Sequence, residues 1–237
     1  MNKIFKTIKE RHSTRAPFES KKPVSRDDIR LIVEGARWAP TAHNMQNFDI
    51  IAVDDKKLLE QISKIKSPPS EEFIRENFKQ LCFSEAELKK KKVGIMGNQF
   101  PPSWRDASKL DDAVREMAPT PLSYTIKGSP AILIVAYDSR KRAPASVGDV
   151  LGFLSLGCAM ENMWLIAESL GIGFQIMSVF SSEGVAADLK KTLNIPKHMK
   201  IAFAVRLGYA AAQPNSLRVR RDLEDFAYCN QFGSKGI

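Results

Sequence analysis

The chain has 237 residues, 43% hydrophobic and 27% charged, the balance of a globular protein long enough to bury a full core. Its formal charge of +9 points to nucleic acid, a membrane surface or an anionic small molecule as partner. Three scattered cysteines with no C-x-x-C pair, and three histidines without ligand spacing, argue against a disulfide framework or a metal site.

In chain order, Asn2 to Arg11 reads as an amphipathic helix with apolar positions at 4, 5 and 8 and lysines between them. No secretory signal is visible in it, and no stretch reaches the roughly 18 unbroken apolar residues of a membrane span, so the cytoplasm is expected. The pentad RHSTR, residues 11–15, follows this helix. Ser25 with Asp28 forms a capping pattern, and Ile29, Ile32, Val33 and Ala36 give the next helix one buried stripe. Pro40 lies just beyond its end. A connection of small and amide residues, A39-P-T-A-H-N-M-Q46, leads into FDIIAV at 48–53, a β-branched run that reads as a strand. Asp54 and Asp55 open a helix through about Ile65.

Residues 66–128 change character and read as a helical insertion or lid on one domain spanning 1–237. A charged helix is expected from Glu71 to Lys92, a break at FPPSW near 100–104, and a polar helix toward Met117. The basic run Lys89–Lys92 has no interleaved aromatics and is read as a solvated face, so a nucleic-acid role is the weaker branch. Phe73, Phe78, Phe83, Phe100 and Trp104 could stack on a planar substrate or serve as packing.

The core resumes with a buried strand at 130–138 and a helix at about 147–170 that is apolar nearly all round, which suits a central element or a subunit interface. Gly171 ends it as a helix cap, GFQIMSVF forms a third strand, Ser182 caps another helix, and Lys200 to Leu207 a fourth strand. The order helix–Gly171–x–Gly173–strand is the reverse of a dinucleotide loop. The stretch G152-F-L-S-L-G157 has one residue too many for a nucleophile elbow and lies within a helical pattern.

Three donor-rich places remain: RHSTR, the 39–46 connection and L217-R-V-R-R221. Guanidinium forks suit phosphate, and two arginine clusters could converge on one anion. By spacing alone, three surface loops explain them as well as one anion site does.

RHSTRAPF, then WAPTAHNMQNFDIIAV, then the apolar helix ending S-L-G-I-G before a strand, then AVRLGYAAAQP with R-x-R-R-D-L-E-D-F, resembles the nitroreductase family of FMN-dependent oxidoreductases. The resemblance covers about residues 5–65 and 128–230. It implies an α+β fold, a central, mostly antiparallel sheet flanked by helices, and a homodimer that exchanges C-terminal arms and binds FMN at its interface. By it, Arg11, His12, Ser13 and Arg15 would contact FMN. Pro40, Thr41, Ala42 and Asn44 would reach the FMN from the partner subunit, with Gln46 bracing their loop. Arg220, helped by Arg218, would bind phosphate, and Met177 and Ser178 would pack on the flavin ring.

The implied activity is ping-pong hydride transfer from NADH or NADPH through FMN to a small planar organic acceptor such as a nitroaromatic, quinone or enone. Dehalogenation, flavin fragmentation or desaturation on the same fold is the first alternative. A basic nucleic-acid-binding protein is the second. Departures from the family pattern are Gln46-Asn47-Phe48 in place of Q-P-W and Gly208-Tyr209-Ala210 in place of G-Y-P. Lys127 lies near the place of the family's basic residue at the flavin edge and is left unassigned, as is any catalytic side chain.

Overall fold

The computed structural model describes residues 2–68, 70–92, 106–212 and 218–236. The chain divides into two compact units, one made of residues 1–68 and 119–214, the other of 69–118 and 215–237.

The first unit is built on a four-stranded antiparallel sheet in the order β1–β4–β6–β5, with β1 Phe48–Val53, β4 Ala131–Asp138, β5 Gly173–Met177 and β6 Met199–Gly208. Every residue of β4 is buried, as expected of a central strand covered on both faces. Alternate residues feed two cores. Leu133, Val135, Phe203, Val205 and Leu207 pack under α2 (Arg26–Arg37) and α8 (Val150–Ser169). Ile132, Ile134, Ile201 and Ala204 pack against Ile62, Leu122, Ile126, Val185 and Leu189. These last come from α3 (Lys56–Lys64), α7 (Ser123–Ile126) with Leu122 just before it, and α9 (Glu183–Thr192). A short pair, β2 (Lys66–Ser67) with β3 (Thr120–Pro121), joins the strands at the two points where the chain leaves and re-enters this unit.

Caps follow the sequence closely. The Asn2 side chain accepts from the Ile4 and Phe5 amides to start α1 (Lys3–Glu10), Ser25 Oγ accepts from Asp28 N at 3.0 Å, and Asp55 accepts from Leu58 N. Gly171, at φ +68, ends α8 as read. Ser182 precedes α9 but does not cap it through its side chain; its hydroxyl turns back to donate to Val179 O. The third strand stops at Met177, because Ser178–Ser181 coils into a single 3₁₀ turn that drops Phe180 into the second core.

α1 buries no residue, and its apolar face of Ile4, Phe5 and Ile8 is open in the single chain. The first turns of α8 do the same with Val150, Leu151, Phe153 and Leu154, while Leu156, Ala159, Met163 and Ala167 enter the core. By length and composition α8 could cross a membrane, the one helix among the described residues that could.

In the second unit the expected single helix from 71 to 92 is two, α4 (Glu71–Leu81) and α5 (Glu85–Lys90). Ser84 and Glu87 form a reciprocal capping box that restarts the chain. Arg75 ties α4 to α6 (Leu110–Arg115) by pairing with Glu71 and Asp111. Lys92, at the end of the basic run, binds Asp222 at 2.7 Å and also Asp225, so the C-terminal segment is tied down by charge. Phe78 is buried, Phe73 is half exposed, and Phe83 lies under Lys91 Nζ at 4.7 Å from the ring centroid, so packing claims at least two of the aromatics. Phe100, Trp104 and the FPPSW break lie outside the described residues.

Candidate functional site

Residues 11–18 leave α1 and run along β5. Thr14 N donates to Phe174 O at 3.0 Å, and Phe18 bridges to Ala210. Trp164 Nε1 donates to His12 O at 3.2 Å. The Trp164 ring stacks on Phe174, with centroids 5.2 Å apart, and the Arg11 guanidinium lies 4.3 Å above the Trp164 ring. Phe18 fills the space over two glycines: a Cβ at Gly173 or Gly208 would stand 2.6 Å from the Phe18 ring. Those glycines are there for close approach.

The five donors of the pentad point different ways. Arg11 Nε is 3.1 Å from Glu161 Oε1 on α8. His12 Nδ1 lies 3.1 Å from Glu10 O and 3.8 Å from Glu168 Oε2. Thr14 is buried, and Ser13 and Arg15 are half-buried.

Three successive carbonyls, of Thr14, Arg15 and Ala16, each face a cation. Arg206 NH2 donates to Thr14 O at 2.8 Å and to Ala16 O at 2.7 Å, and Lys127 Nζ to Arg15 O at 3.4 Å. Burial pushes the Arg206 pKa down to about 10 and lowers that of Arg15. Lys127 is lowered by burial first and then by the Arg206 charge. Three positive groups whose charged forms are disfavoured by burial gather at one backbone stretch. That concentration of positive charge suits a nearby anionic ligand, whose charge would relieve the penalty.

Lys127 was noted from the sequence and left unassigned, and Arg206 escaped that reading. Arg206 left one signal, a lone arginine inside the apolar run AFAVRLG, since such a residue is almost never fully buried without partners.

The 39–46 connection is built otherwise. Ser155, within α8 and no nucleophile, accepts from Ala42 N at 3.0 Å and donates to Leu151 O. His43, Asn44 and Gln46 all have positive φ, at 51°, 52° and 45°. Gln46 Nε2 donates to Asn44 Oδ1 at 3.0 Å and Gln46 N to Thr41 Oγ1, so Gln46 does brace the loop. Clustered left-handed residues other than glycine are characteristic of ligand clamps. Pro40 and Asn44 are exposed, Thr41 and Ala42 half-buried. Ser155 and the Glu161–Trp164 stretch that meets residues 11–15 are six to nine positions apart on one helix, about 9 to 13 Å along its axis. Within one chain the two loops therefore sit at different levels of α8.

Met177 ends β5 and Ser178 opens the 3₁₀ turn after it, beyond the Thr14–Phe174 contact. The Met177 side chain is buried in the second core, in the cluster that includes Phe180, Val185 and Leu189. Ser178 is exposed. Arg218 and Arg220 belong to the second unit and are exposed; Arg220 NH1 donates to Val219 O at 2.7 Å.

Comparison with known proteins gives this arrangement a family. The chain is 31% identical over 107 residues to a putative NADH dehydrogenase/NAD(P)H nitroreductase of Methanothermobacter thermautotrophicus, a match spanning 44% of this chain and about half, 51%, of that relative's length. The fold is shared with a nitroreductase with bound FMN from Bacteroides fragilis, at TM-score 0.58 and 22% identity, covering 100% of this chain and 99% of that one. It is shared too with an FMN-bound nitroreductase from Desulfitobacterium hafniense, at TM-score 0.59 and 23% identity, covering 97% and 99%. The sequence pattern of the nitroreductase family matches residues 8–209. The chain belongs to the nitroreductase family.

Proposed function

We propose that the protein is an FMN-dependent oxidoreductase that takes a hydride from NADH or NADPH and passes electrons to a small planar organic acceptor such as a nitroaromatic, quinone or enone. The observation that carries this reading is the gathering of Arg206 and Lys127 at the Thr14–Ala16 backbone, a concentration of positive charge that suits an anion nearby. The FMN-bound relatives of the same fold say which anion to try first.

FMN, when bound, supplies the hydride chemistry. The chain's residues bind and orient. Ser13 and Arg15 would meet the cofactor from the first segment. Arg11 and His12 would assist with what their bonds to Glu161 and Glu10 leave available. Arg218 and Arg220 would hold phosphate, and Ser178 would stand at the end of β5. The loop of Pro40, Thr41, Ala42 and Asn44 would come from a second copy, which suits its separate level on α8.

A homodimer is part of the proposal. The open apolar faces of α1 and of the first turns of α8 support it, and the segment 215–237 is the arm that an exchange would hand across.

Purified full-length protein should be yellow, or should take up added FMN and show a visible absorbance band. A colourless protein that takes up none refutes the reading. NADH and NADPH oxidation against nitroaromatic, quinone and enone acceptors then identifies the acceptor class. Arg220→Ala should weaken FMN binding by about 1.5–3 kcal/mol, the worth of a charge-assisted hydrogen bond, in a protein that stays soluble. Unchanged affinity removes Arg220 from the phosphate site.

A further inference from the structure

We propose that Arg206 is a positioning residue for the flavin site: it brackets Arg15 by gripping the carbonyls of Thr14 and Ala16, and its charge favours the reduced, anionic state of the cofactor. The proposal rests on the FMN reading above.

Arg206 stands third from the end of β6, on the sheet face shared with Ile132, its neighbour on β4, and Gln175, its neighbour on β5. Its side chain is 0% exposed, and it heads the fully buried residues by size. Its guanidinium is satisfied by oxygen atoms from three directions. Nε donates to Gln175 Oε1 at 2.7 Å, NH1 to Ile126 O at 3.4 Å, and NH2 to Thr14 O and Ala16 O. The Phe18 ring closes the remaining side, 4.3 Å from Cζ. All of these oxygens are neutral acceptors, and among the described residues no carboxylate pairs with Arg206.

Two features separate this from ordinary packing. The carbonyls it holds belong to the residues before and after Arg15, and Lys127 holds the Arg15 carbonyl between them, so cations hold the peptide planes on both sides of the Arg15 Cα, from which its side chain projects. Second, a neutral side chain could satisfy one or two carbonyls without the several kcal/mol penalty of burying an ion. A charge kept in a dry interior is felt more strongly by a nearby anion than one in water. The cation beside the proposed cofactor segment therefore has an electrostatic use as well as a mechanical one.

The test compares wild type, Arg206→Lys, Arg206→Met and Gln175→Met as full-length proteins. Three quantities are read: FMN dissociation constant of the apoprotein, midpoint potential of bound FMN, and amide hydrogen exchange at Thr14 and Phe18 without FMN. Arg206→Lys keeps the charge and loses the bracket. It should bind FMN at least about tenfold more weakly, with faster exchange at Thr14, yet hold a potential near that of wild type. Arg206→Met should lose affinity as well and move the potential to a more negative value. Gln175→Met leaves Arg206 in place without its Nε acceptor and should weaken FMN to a lesser degree; with Arg206→Lys it carries the test if Arg206→Met does not fold. If wild type binds FMN and the folded variants match it in affinity and potential, this proposal falls alone. If wild type binds none, the FMN reading falls and takes this proposal with it.

Discussion

The segment 11–18 and the loop 39–46 carry the same kinds of residue, and the fold treats them in opposite ways. The first is fastened through its backbone: a pairing bond to β5, carbonyls held by Arg206 and Lys127, and Phe18 pressed onto two glycines. The second rests on hydroxyl and amide contacts from Ser155, Thr41 and Gln46, and contains three residues in left-handed conformation. One segment is set by the core of its own chain. The other is strained and lightly held, which suits the clamp proposed above.

That contrast can be broken by mutation. Phe18→Ala should have the largest effect, because it empties a buried aromatic site and removes the ring beneath Arg206. About 3–5 kcal/mol of stability should be lost in denaturant unfolding. A loss under about 1 kcal/mol would mean that the first segment is no more firmly built than the second.

Acid should act on the second loop's exit. Asp138 N donates to Asn47 O at 2.9 Å, while the Asp138 carboxylate binds Arg140 through two hydrogen bonds of 2.8 Å, with His198 Nε2 at 4.0 Å. The Arg140 hydrogen bonds hold this carboxyl well below the usual carboxylate range. A depressed carboxylate pKa contributes stability above its unfolded value, near about pH 4, and loses it as pH falls toward the folded value. Asp138→Asn should therefore be less stable than wild type at neutral pH, and the difference should narrow as thermal unfolding is followed below about pH 4. A gap independent of pH would contradict the assignment.

His43→Gly should have the smallest effect. Relief of left-handed strain is offset by the extra freedom glycine gives the unfolded chain, so the denaturation midpoint of the apoprotein should stay within about 1 kcal/mol of wild type. A loss of several kcal/mol would place this loop on a par with residues 11–18.

Much of the scaffold was legible from local signals. FDIIAV gave β1 at its observed bounds, and the stripe Ile29, Ile32, Val33, Ala36 gave the buried face of α2. Where the reading missed, a local signal was masked or absent. Ser84 and Glu87 spell a capping box, but the surrounding charged run hid the break between α4 and α5. The apolar Val179 and Phe180 looked like more strand, although core packing turns them into a 3₁₀ coil.

The site divides in the same manner. Ser13, Arg15 and Asn44 are proposed for the site from motifs, whereas Arg206 acts on a carbonyl 192 residues earlier in the chain, and no local pattern encodes that. Arg11 and His12 were legible as donors. Their turn toward Glu161 and Glu168, both on α8, was not, since it depends on where that helix lies.

Thr14 has one more consequence, for solubility. β5 is an outer strand of the sheet, and outer strands left bare can pair with other chains. The hydrogen bond from Thr14 to Phe174 covers part of that margin, and the bridge from Phe18 to Ala210 anchors the segment to the chain just beyond β6. The stretch proposed to greet the cofactor also shields the sheet from its neighbours in a crowded solution. A variant that releases it would show turbidity on concentration before any assay of turnover could be run.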